Sequence, residues 1–120
     1  MSSARGLILI DHGSRLPEAH QHIESLARQL RTRYPGRTVA VAHLEIVSPT
    51  LRQAVRTLID RGIIEIELLP MFLAPGNHLT RDIPTQVADA VRAHPEAKIR
   101  VLPAVGELPG LVDLIGKSLP

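Results

Sequence analysis

The stretch Gly6-Leu7-Ile8-Leu9-Ile10-Asp11-His12-Gly13-Ser14-Arg15-Leu16-Pro17 decides the reading of the fold. Gly6 to Asp11 is a short, almost continuous apolar run, the pattern of a strand buried on both faces. Its apolar positions then give way to a polar, glycine-marked turn. From Pro17 the period changes: Ile23, Leu26, Ala27, Leu30 and Tyr34 recur at three- and four-residue steps, as on one face of a helix. Pro17 suits a first helical turn, where its missing N–H costs nothing. A strand feeding a helix through a tight turn is the opening unit of a parallel α/β sheet.

The unit recurs along the chain. Pro35-Gly36 ends the first helix, and Thr38 to Glu45 reads as a second strand. Ser48-Pro49 has the form of an N-cap followed by a first-turn proline, opening a helix with Leu51, Ala54, Val55, Leu58 and Ile59 inward. Gly62 closes that helix as its C′ residue. Ile63 to Leu69 is a third strand, in which Glu65 and Glu67 form a solvent-facing or interface stripe. Pro70 to Arg81 then reads as a long loop, with Asp82 capping a third helix, Pro84 in its first turn, and Ile83, Val87, Ala88 and Val91 facing the core. Lys98 to Leu102 is a fourth strand and Pro109 to Leu119 a terminal helix. The order βαβαβαβα predicts a single doubly wound, flavodoxin-like domain over residues 1–120, with a four-stranded parallel sheet and right-handed crossovers.

Composition narrows the function. Fourteen Lys and Arg stand against twelve Asp and Glu, with no basic run and hardly any aromatic residues, which is no nucleic-acid footprint. There is no cysteine, so thiolate zinc sites, iron–sulfur clusters and cysteine nucleophiles are excluded. No apolar stretch approaches the ~18 residues of a membrane span, and the opening residues do not form a signal peptide. The expected setting is the cytoplasm. No G-x-G-x-x-G follows the first strand, which removes a dinucleotide site.

Chemistry gathers at two strand-to-helix turns. Each pairs a histidine with an arginine three residues later: His12 with Arg15, and His78 with Arg81. In a parallel sheet such turns lie on the carboxyl edge, where ligands bind. Imidazole ligates metals and titrates near neutral pH. Glu45, at the end of the second strand, reaches the same edge as a third hard ligand or a base. His43, two residues earlier, shares its face but lies deeper, the place of a buried, hydrogen-bonded histidine. Ser14 is placed to cap the first helix. His20 and His22 fall on that helix's outer face and His94 at a helix end; none of the three is assigned a role. A histidine phosphatase is disfavoured, because Asp11 stands where that chemistry needs an arginine before the histidine.

Three segments together resemble one family. Leu9-Ile10-Asp11-His12-Gly13-Ser14-Arg15, His43-Leu44-Glu45-Ile46-Val47-Ser48-Pro49 and Pro70-Met71-Phe72-Leu73-Ala74-Pro75-Gly76-Asn77-His78-Leu79-Thr80-Arg81-Asp82-Ile83-Pro84 look like the short sirohydrochlorin chelatases of the CbiX and SirB type. The resemblance implies nucleotide-free insertion of Co²⁺, Fe²⁺ or Ni²⁺, the metal being a substrate, into a sirohydrochlorin-type tetrapyrrole on a route to cobalamin, sirohaem or a related product. It also implies a homodimer. By position it makes His12 and His78 the metal-binding and catalytic histidines and matches Glu45 to the family's strand-end acidic residue, which the site chemistry casts as a further metal ligand or proton acceptor. Arg15, Arg81 and Ser14 stand where they would hold the carboxylate rim of the tetrapyrrole. The family more often has an aromatic or aliphatic residue where His43 stands. A non-catalytic carrier of metal or tetrapyrrole would use the same ligands, and only turnover separates the two.

Overall fold

The computed structural model describes residues 4–74 and 76–120, with the backbone alone described at 77–79. Strand β1 (Arg5–Asp11) leads through the first turn to helix α1 (Pro17–Arg33), followed by β2 (Arg37–His43), α2 (Leu51–Asp60), β3 (Glu65–Pro70), α3 (Asn77–Ala93), β4 (Lys98–Val101), one 3-10 turn (Val105–Glu107) and α4 (Leu111–Ser118). The four strands are all parallel in the order β2-β1-β3-β4. The expected doubly wound α/β sheet is therefore present. The most central strands, β1 and β3, adjoin, so the turns that follow them sit side by side.

Strand alternation divides the core. Ile8, Ile10, Ala42, Ile66 and Leu68 point to the side covered by α2 and α3, where they meet Leu51, Val55, Leu58, Ile83 and Ala90. Leu9, Val39 and Val41 point the other way, onto Ile23 and Ala27 of α1. Gly6 makes room on the first side, since a Cβ there would stand 2.7 Å from the Leu58 side chain. The radius of gyration is 14.5 Å.

Several element boundaries differ from the sequence reading. β2 ends at His43, so Glu45 lies in the turn beyond it rather than on the strand. β3 starts at Glu65, because Ile63 is taken up in closing α2: its N–H donates to Leu58 O and that of Gly62 to Ile59 O. Those two bonds form a Schellman motif with Gly62 at φ 80°, as expected of a C′ glycine. Helix α2 is capped by Thr50 instead of Ser48. The Thr50 hydroxyl accepts from Gln53 N, and Gln53 Oε1 accepts from Thr50 N, a reciprocal pair that Ser48-Pro49 does not offer.

The largest difference concerns α3. It begins at Asn77 behind Gly76, so Asp82 is not its cap, Pro84 is interior, and the expected twelve-residue loop shrinks to residues 71–76. Its inward positions are Ile83, Val87 and Ala90, while Ala88 is exposed. Tyr34 caps the end of α1 and is exposed, not part of its inward stripe. The terminal helix starts at Leu111, with Gly110 at φ 95° before it. The 3-10 turn had no counterpart in the sequence reading.

Candidate functional site on the carboxyl edge

The site is built by three turns locked to one another. The turn after β1 carries His12, Gly13, Ser14 and Arg15. The β2–α2 turn is laid directly against it: Leu44 N–H donates to Asp11 O at 2.9 Å and Glu45 N–H to His12 O at 3.1 Å. Gly13 permits that approach. It has φ 97°, and a Cβ on it would stand 2.0 Å from the Glu45 carbonyl oxygen. The third turn starts where Met71 N–H donates to Ile10 O at 2.8 Å, and Phe72 then meets His12 edge-on with ring centroids 4.9 Å apart. His12 is thus exposed yet held in orientation by an aromatic wall.

Glu45 is exposed on the same edge, next to His12. Val47 N–H donates to Glu45 O at 2.9 Å, closing a three-residue turn centred on Ile46 at φ 77°. A β-branched residue there is strained, by about 1–3 kcal/mol. The hydrogen bonds from Leu44, Glu45 and Val47 N–H hold the turn that presents Glu45 against that strain. Gln86 of α3 adds a brace, its Nε2 donating to Leu44 O at 2.9 Å.

His78 belongs to the first turn of α3, which follows β3 and so opens beside the His12 turn. Its imidazole lies outside the described side chains. Arg81 is one helical turn further on and exposed, as is Arg15 on the first turn. Ser14 does not cap α1; Leu16 takes that position without a side-chain bond, and the Ser14 Oγ accepts from Leu16 N–H at 3.1 Å. The hydroxyl proton of Ser14 remains available to an acceptor. Among the described residues no three His, Asp or Glu side chains gather into a ready cage for an ion.

Beneath the turn, His43 is buried as expected, its Nδ1 2.5 Å from Asp11 Oδ1. The pair ties the ends of β1 and β2 together directly below His12. His20 departs from the expected outer face: it is half-buried, and its ring meets that of His43 at 4.6 Å. Helical spacing from the apolar residues of α1 did not reveal this contact, because it is made with a residue of another strand.

Three large apolar side chains also stand exposed on this edge, one per turn: Leu16, Ile46 and Leu73. The sequence reading missed them. Each directly follows a residue that it did single out or that walls the site, namely Arg15, Glu45 and Phe72.

A family model of CbiX matches residues 6–120. The chain belongs to the CbiX family. It is 40% identical over 78 residues to a sirohydrochlorin cobaltochelatase of Methanococcus maripaludis, an alignment covering 65% of this chain and 54% of that protein. It is 31% identical over 110 residues to one from Sulfolobus acidocaldarius, covering 92% of this chain and 85% of the relative. The chain therefore spans about half the length of the methanogen relative and most of the Sulfolobus one. Among solved structures, a CbiX protein from Marinobacter aquaeolei superposes with a TM-score of 0.83 at 27% identity, over 95% of this chain and 92% of that one. The sirohydrochlorin chelatase SirB from Bacillus subtilis, in complex with cobalt, shares the fold with a TM-score of 0.81 at 21% identity. There the match takes in 94% of this chain but only 48% of the SirB chain.

Proposed function

We propose that this CbiX chain, as one chelatase domain over residues 1–120, inserts a divalent metal into a sirohydrochlorin-type tetrapyrrole without a nucleotide. The metal is Co²⁺, with Fe²⁺ or Ni²⁺ as related substrates. The observation that carries this reading is the locking of the Glu45 turn onto the His12 turn through Gly13, beside the start of α3 that bears His78. Relatives named sirohydrochlorin cobaltochelatase support it.

Metallation must strip water from the ion and remove two pyrrole N–H protons. Neutral imidazole and carboxylate suit a borderline ion such as Co²⁺, and either accepts a proton. His12 and His78 hold the ion at the face of the macrocycle, and Glu45 helps to bind it or takes a proton. The ligand set must stay incomplete, because the ion has to leave it for the ring. Leu16, Ile46 and Leu73 lie under the macrocycle, while Arg15 and Arg81 pair with carboxylates of its rim. Ser14 donates its hydroxyl proton to the same rim. A homodimer widens the shallow ledge of one domain, and the protein works in the cytoplasm. No helix among the described residues is long and apolar enough to cross a membrane.

The test is an anaerobic absorbance assay of sirohydrochlorin with each metal, with and without protein. Protein-dependent, multiple-turnover metallation is expected, and it is abolished in H12A/H78A with the fold retained. Tight binding of metal or tetrapyrrole without acceleration over the spontaneous rate establishes a carrier instead. Full activity in the double variant removes both histidines from the mechanism.

A further inference from the structure

The 3-10 turn Val105–Glu107 lies outside the sheet, yet it grips the third turn of the site. Gly106 N–H donates to Phe72 O at 2.9 Å. Beside that bond the two backbones are so close that a Cβ on Gly106 would overlap the Leu73 carbonyl oxygen, its carbon and its Cα. Only a hydrogen atom fits there, and only glycine supplies one. The gripping turn is itself well anchored. Leu102 N–H donates to Leu68 O, extending the pairing of β4 on β3, and Glu107 N–H donates to Ala104 O, closing the turn over a buried Ala104.

Phe72 is therefore held on both sides. Met71 N–H, just before it, donates to Ile10 O of β1, and its own carbonyl accepts from Gly106. Its side chain packs partly against the core on the α2–α3 side, and its ring stands edge-to-face with that of His12 at an interplanar angle of 88°. Every other apolar side chain of the two core clusters is aliphatic, so packing alone does not call for an aromatic ring. The one phenylalanine of the chain stands where a flat ring meets the exposed imidazole. The imidazole lone pair lies in the ring plane, so the direction of that plane decides where an ion is held. A misplacement of about 1 Å can cost on the order of a hundredfold in rate.

We infer that Phe72 and Gly106 are positioning residues for metal insertion: Gly106 fixes Phe72, and Phe72 fixes the imidazole plane of His12. This rests on the role of His12 in the function proposed above. Gly106 acts only through Phe72, and Phe72 only through His12.

The test reads the His12 ring by NMR in protein carrying isotope-labelled histidine, the resonances being assigned by their loss in His12→Gln. Phe72→Leu keeps an apolar side chain and should move these resonances, because the ring current of Phe72 is gone. A through-hydrogen-bond coupling from Gly106 N to the Phe72 carbonyl carbon should be present in the intact protein. Gly106→Ala, its fold checked by far-UV circular dichroism, should move the His12 resonances in the direction seen for Phe72→Leu. Gly116→Ala should leave them in place, since nothing lies within 4 Å of the added carbon. In the metallation assay Phe72→Leu should lower kcat by about an order of magnitude. KM for sirohydrochlorin should stay as it is, because the group acts through His12 and not on the macrocycle.

Unmoved His12 resonances in Phe72→Leu, or no coupling in the intact protein, overturn the proposal, and these two measurements decide it if Gly106→Ala does not fold. A folded Gly106→Ala with His12 unmoved overturns the part given to Gly106. A raised KM with unchanged kcat in Phe72→Leu also overturns the positioning role, since the ring would then be a contact of the macrocycle. Failure of the intact protein to metallate overturns the chelatase function instead, and the His12 resonances, read without substrate, keep the two failures apart.

Discussion

A single hydrogen atom in place of a methyl group decides whether the candidate site can assemble. At Gly13 both demands coincide: a left-handed φ of 97° and the Glu45 carbonyl where a Cβ would be. In Gly13→Ala the His12 and Glu45 turns must part, because the obstacle is backbone and cannot rotate away. Backbone strain alone costs about 1–3 kcal/mol, and the metal-binding groups lose their register. Urea unfolding should show that loss, and tetrapyrrole metallation should fall by at least an order of magnitude. Gly36→Ala is the control, since nothing lies within 4 Å of the added carbon. It should leave both readouts unchanged. The sequence marked Gly13 as a turn residue, because a glycine between a histidine and a serine after a strand is a local signal. What it presses against was not legible, since Glu45 comes from a different turn. His20 teaches the same lesson. Its burial is set by His43 across the strand–helix packing, and no spacing within α1 encodes that contact.

At the scale of elements, order and type followed directly from local periodicity: four apolar runs alternate with four amphipathic stretches, and each came out as strand or helix. Helix starts were less legible because cap signals compete. Ser48-Pro49 and Thr50 are both plausible openings of α2, and the deciding feature is the Gln53 side chain three residues after Thr50, which completes a capping box. Thr50→Ala should therefore destabilise the protein by about 1 kcal/mol, visible as a drop of a few degrees in Tm by thermal circular dichroism. Ser48→Ala should stay within about 0.5 kcal/mol, as a surface change away from any cap does. Equal losses at the two positions would return the cap to Ser48. In α3 the misleading signal was Pro84, which marks a first turn in most helices. Here Pro84 sits inside the helix, where it has no N–H to donate, and the turn bearing His78 precedes it. The result places His78 on a helix rather than in a long loop. It opens beside His12 because β1 and β3 are neighbours, which the strand order determines and the linear sequence does not display.

For the whole molecule the question is how many subunits one site needs. The turns bearing His12 and Glu45 and the start of α3 all lie on the carboxyl edge of one chain, joined by hydrogen bonds within that chain. A dimer of such chains would leave each protomer its own pair of histidines. Mixing separately inactive H12A and H78A proteins tests this directly. If each site is contained in one chain, a mixed dimer holds no protomer with both histidines, and re-equilibrated mixtures should stay as inactive as their components. If instead each site took one histidine from either subunit, random reassortment would make half the dimers mixed. One of the two sites in each of those would be intact, and activity would recover to about a quarter of the unsubstituted protein's, as two-fold symmetry dictates. The reassortment is confirmed by labelling the two variants with different fluorophores, whose energy transfer after mixing reports exchange whatever the activity. No recovery with exchange demonstrated is the expected result. It would mean that dimerisation shapes the ledge on which the tetrapyrrole lies, while the groups that move the metal and the protons come from one chain.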